Sequence, residues 1–108
     1  MKIGLIAAAI AVCATAASAQ TLTVEGEEGV TYTVIALESG VSITTHREEG
    51  NNSLFSKHAV SCEPYLAGLL GSGPTLDAMN GSLKTDVEFA EIVRFSSEDI
   101  IAGYACAN

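Results

Sequence analysis

The chain has 108 residues, enough for one domain, and sets 13 acidic side chains against 5 basic ones for a net charge of −8. That excess repels phosphate backbones and anionic lipid surfaces, so neither nucleic acid nor a membrane surface is an expected partner. A basic protein or a cation is the more natural partner, although acidity also keeps a small exported protein soluble.

Met1–Ala19 reads as a secretory signal. Lys2 is the only early charge, Ile3–Val12 is a short apolar run, and Ala17-Ser18-Ala19 forms an A-x-A cleavage site before Gln20. The uncharged stretch Ile3–Ala19 falls short of the roughly 20 apolar residues a membrane span needs. A lipoprotein reading through Cys13 is disfavoured, because Val12 stands where such signals carry a small residue. Residues 1–19 are therefore expected to be removed. Residues 20–108 then form a single small domain, periplasmic or secreted, with no membrane insertion after cleavage and one further unit of negative charge.

Cys62 and Cys106 both survive that cleavage. In an oxidising compartment an even count favours a disulfide over two free thiols. By the chain-entropy relation such a bond adds about 4 kcal/mol, a large share of what holds a small domain folded. The pair lacks the C-x-x-C spacing of a redox centre.

In chain order, Thr21–Glu25 alternates polar and apolar residues as a half-buried strand does, and Gly26-Glu27-Glu28-Gly29 is a charged turn. Val30–Glu38 is rich in β-branched and aromatic residues. Strict alternation puts Val30, Tyr32, Val34 and Ala36 on one face and Thr31, Thr33, Ile35 and Leu37 on the other, predicting a strand covered on both sides near its end. Glu38-Ser39-Gly40 supplies a turn in which Gly40 is free to take positive φ. Val41–His46 is the next strand, and Arg47–Ser53 is expected to be a mobile polar loop. Leu54–Cys62 follows as a strand with Leu54, Ser56, His58, Val60 and Cys62 on one face. Glu63-Pro64 interrupts it, and Tyr65–Leu70 reads equally as a strand or a helical turn.

After Gly71 the pattern changes. Gly73-Pro74 can start a short helix through Met79, with Pro74 at the first helical position and Asn80-Gly81 as a left-handed stop. Ser82–Phe95 is open: Thr85 and Glu88 have capping-box spacing, while Val87, Phe89 and Glu91 alternate like a strand. Ser96-Ser97-Glu98-Asp99 is a stronger helix start, with acids in the first turn. Ile100, Ile101, Tyr104 and Ala105 then form an apolar stripe on a helix of two to three turns that returns Cys106 to the sheet. The expected fold is α+β: an antiparallel sheet of four to five strands over roughly residues 21–70, short C-terminal helices packed on it, and one disulfide.

Chemistry is sparse. There is no G-x-S-x-G elbow, no H-E-x-x-H and no phosphate-binding G-x-x-x-x-G-K-[ST] loop. Gly71-Ser72-Gly73 has no basic neighbour in sequence and reads as a turn. His46 and His58, with Glu48 and Glu49 near the first, are the residue types of a zinc site. A hairpin centred on Gly50-Asn51 sets His46 opposite Phe55 instead, so no metal site is expected, and no catalytic residue or cofactor either. The sequons Asn51-Asn52-Ser53 and Asn80-Gly81-Ser82 read as turns.

Tyr104-Ala105-Cys106, together with His58-Ala59-Val60-Ser61-Cys62, resembles small uncharacterised exported proteins of Gram-negative bacteria, from about Tyr32 onward. The resemblance implies export and assigns no functional residue. In size and acidity the chain is similar to periplasmic lysozyme inhibitors, though it carries none of their motifs and no tryptophan. The leading expectation is a non-enzymatic periplasmic module that binds a protein partner or serves the envelope. An acidic, inhibitor-like binder of a basic hydrolase comes second, and a small enzyme or metal-binding protein third.

Overall fold

The computed structural model describes Gln20–Asn108; the expected signal segment and Cys13 lie outside the described residues. The described chain forms a six-stranded sheet in which every strand pairs with its sequence neighbour. The strands are β1 (Gln20–Leu22), β2 (Val30–Glu38), β3 (Ser42–Glu49), β4 (Asn52–Cys62), β5 (Tyr65–Gly73) and β6 (Ala90–Glu91). All five pairings are antiparallel. Helix α1 (Leu76–Gly81) follows β5, and helix α2 (Ser97–Ala107) ends the chain. Among the described residues no helix is long and apolar enough to cross a membrane.

The sixth strand corrects the expected count of four to five. It is two residues long, too short for a period to announce it. Residues 83–89 are neither helix nor strand, so both open readings of Ser82–Phe95 fail except at Ala90–Glu91. Gly71-Ser72-Gly73 is the end of β5 rather than a turn. The β4–β5 reversal falls at Glu63-Pro64, whose peptide bond is cis.

Opposed residues in an antiparallel ladder share a face. Register therefore gathers Tyr32 and Val34 from β2, Ile43 and Thr45 from β3, and His58 and Val60 from β4 on one side. The alternation expected for β2 breaks at a bulge between Val34 and Ala36. Leu37 consequently sits opposite Ile43 on the core face, while Ile35 stays 42% exposed and Ala36 turns to the other side. The strand is not covered on both sides.

The expected mobile loop is also absent. The β3–β4 ladder continues through Arg47↔Leu54 to Glu49↔Asn52, because Gly50 takes φ +60° and reverses the chain in two residues. Arg47 ties this hairpin to its neighbours. Its Nη2 donates to Glu49 Oε1 at 3.0 Å and its Nε to the Tyr32 hydroxyl at 3.3 Å, while that hydroxyl donates to Glu27 at 2.9 Å.

Helix α2 covers the core face. Ser96 is its N-cap, accepting from Asp99 N, with Glu98 and Asp99 in the first turn as the sequence predicts. Ile101, Ala102 and Ala105 are its buried residues. They meet Tyr32, Val34, Ile43 and Val60, and burying Ile101 alone contributes about 1.5–3 kcal/mol. Cys106 bridges to Cys62 with a Cα–Cα distance of 5.7 Å.

Helix α1 covers the other face of β5 in a different way. Side-chain Cβ atoms added at Gly68, Gly71 and Gly73 would lie 2.5 Å from Glu88 O, 2.9 Å from Ser82 Oγ and 2.7 Å from Met79 N. The covering chain thus rests on bare strand backbone. The N-cap of α1 is Thr75, accepting from Ala78 N, so Pro74 precedes the helix instead of occupying its first position. The positive-φ glycines do not include Gly81, and the left-handed stop expected there does not form. The edge of β5 is closed by Ser82 Oγ, which bonds both Ser72 N and Ser72 O at 3.0 Å, and by Lys84 N on Leu70 O at 2.9 Å.

Candidate functional site

Where α2 leaves β5 and β6 uncovered, a cleft of about 240 Å³ opens on the core face of the sheet. His58 of β4 and Leu69 of β5 form its floor. Val93 and Glu98 stand on the loop and helix that follow β6, and Glu91 belongs to β6 itself. The strand alternation expected for Leu54–Cys62 correctly puts His58 on the same face as Val60 and Cys62. Burial pushes the His58 imidazole below its ordinary value, and the negative charge of Glu98 pulls weakly the other way. Its Nδ1 is buried without a hydrogen-bond partner.

His46 lies elsewhere. It points to the opposite face, stacks on Phe55 with centroids 4.1 Å apart, and bonds Ser53 Oγ through Nε2 at 2.7 Å. The two histidines therefore cannot share a ligand. Among the described residues no three His, Cys, Asp or Glu side chains converge on a point that could hold a metal ion, those around His58 included.

The loop above the cleft is unusual in its backbone. Phe95 has φ +66°, the left-handed region that a bulky side chain rarely enters, and its ring is 72% exposed. Three contacts hold it there. Asp99 Oδ2 accepts the Phe95 N–H at 2.8 Å, Ser96 Oγ donates to Val93 O at 2.6 Å, and Asp99 Oδ1 accepts the Tyr65 hydroxyl at 2.8 Å. The Phe95 amide, then the Tyr65 phenol, hold the Asp99 carboxyl below its usual range. Burial, then the bond to Asp99, pushes the Tyr65 phenol up to about 12.

An apolar residue just before an N-cap commonly packs on the fourth helical residue, here Ile100. Phe95 does not do this. It stands in solvent with Val93, itself 71% exposed, and Arg94 lies 5.6 Å from its ring centroid. These loop residues, with Glu98 and Leu69, are the part of the site that sequence reading missed. Phe95 before a clear Ser96 cap was the available signal, but only its exposure separates it from an ordinary staple.

The lining has one imidazole, the Glu98 carboxylate and apolar groups, and no hydroxyl, thiol or amine; Glu91, opposite Leu66, sends its side chain to the other face. The cleft can hold a hydrogen-bonding or cationic group against apolar walls. No family model, curated protein or solved structure matches the chain.

Proposed function

We propose that this is an exported, non-enzymatic module of the periplasm that binds a protein partner through the loop of residues 92–96 and the cleft beneath it. The observation that carries this reading is Phe95. A large aromatic held in a costly backbone conformation, with its ring in water, contributes little to the fold and is suited to recognition. Exposed Val93 and Leu69 extend the apolar surface beside it. The disulfide fits an oxidising compartment.

The test is capture from periplasmic extract by immobilised wild type and Val93→Ser, at low and high salt. A partner held by the wild type should be lost from Val93→Ser under both conditions. A partner released by salt alone, and indifferent to Val93, would move the contact to the acidic surface and overturn the assignment.

A further inference from the structure

We infer that the cleft receives a cationic side chain, an arginine or lysine presented by the partner. This deepens the partner-binding reading and rests on it. At about 240 Å³ the cleft is smaller than the roughly 300–1,000 Å³ of pockets for drug-sized ligands, and suits one side chain. Leu69 and Val93 offer apolar walls for an aliphatic stem, and Glu98 offers a carboxylate for its charged end. No lysine or arginine lines the cleft, so an anionic occupant would meet the Glu98 carboxylate and no counter-charge.

His58 completes the discrimination. A second proton on its ring would place an N–H at Nδ1, where there is nothing to receive it. The ring therefore stays neutral at neutral pH and leaves Glu98 free for the incoming cation. The charged group facing it is Glu98 from α2, while Glu91 of β6, opposite Leu66, lies on the other face of the sheet. On acidification an imidazolium would pair with that carboxylate and repel the occupant. Binding should weaken as pH falls through the His58 titration, which burial places below the ordinary histidine value.

The experiment is an NMR titration of ¹⁵N-labelled protein purified from the periplasm, with n-butylguanidinium and with its neutral analogue n-butylurea. The guanidinium should shift the amides of Leu69, Glu91, Val93 and Glu98 saturably, and the urea should not. Glu98→Gln should weaken guanidinium binding about two- to fivefold, the range of a single exposed charge pair. Equal binding of the two probes, no binding of either, or indifference to Glu98→Gln would each overturn the inference. No partner is present in this titration, so its failure leaves the capture result standing, and a failed capture leaves the titration interpretable.

Discussion

The two faces of the sheet are covered by helices that dock by different physics. Helix α2 brings side chains to the strands: Ile101, Ala102 and Ala105 fill the space over Ile43 and Val60, and the Cys62–Cys106 bond fixes the helix end. Helix α1 and the chain after it instead settle where β5 has no side chains, on Gly68, Gly71 and Gly73, and contribute one buried residue, Met79. The first kind of packing is carried by apolar area and a covalent bond. The second is carried by the absence of atoms, so it should tolerate the loss of a contact better than the addition of one.

The largest expected effect separates these directly. Cys106→Ser should cost about 2–5 kcal/mol in urea unfolding, the usual loss for a native disulfide in a small domain. Amide exchange should rise along α2 and stay slow at Met79. Equal loss of protection on both faces would show that the two helices unfold as one unit.

Next comes the glycine face. Gly68→Ala should destabilise by about 1–3 kcal/mol, because its Cβ would lie 2.5 Å from Glu88 O and from Val87 Cγ2. Gly81→Ala, with nothing within 4 Å, should be neutral or gain up to about 1 kcal/mol of helix propensity. Similar thermal midpoints for the two variants would contradict the close approach.

This difference also explains what could be read from sequence. Ser96, the two acids after it and the Ile100–Ala105 stripe announce α2, because its docking is written in side chains. Gly40 and the Gly50-Asn51 reversal announce their turns through backbone freedom. The β2 bulge at Ile35 left no trace, since β-branched residues occupy both sides of it, and it moved Leu37 into the core. Strand pairing carried the polar run Arg47–Ser53 into a ladder because the tight turn and the Arg47–Tyr32–Glu27 contacts outweigh its hydrophilic composition. Segment 83–89 was undecidable because its partner is bare backbone. Within the site, His58 was legible from strand alternation; Val93, Phe95 and Glu98 come together only through the loop before α2.

A smaller effect tests the support under that loop. The Tyr65 phenol is raised from 10 to about 12 in the fold, so the folded state holds its proton more tightly than the unfolded chain. Its stabilising contribution is complete below pH 10 and is lost as pH rises toward 12. Tyr65→Phe should flatten the urea midpoint between those two pH values, whereas an unchanged alkaline slope would place the titration elsewhere.

The smallest expected change in stability is the most telling for function. Phe95 sits at φ +66° with its ring in solvent, so glycine at this position loses little burial and relieves a backbone cost of about 1–2 kcal/mol, partly offset by chain entropy. The decisive measurement is thermal unfolding of Phe95→Gly alongside its partner capture from periplasmic extract. We expect a midpoint no lower than that of the wild type together with loss of the captured partner. A variant that captures as well as the wild type, or one that unfolds at a clearly lower temperature, would contradict the assignment of Phe95 to recognition.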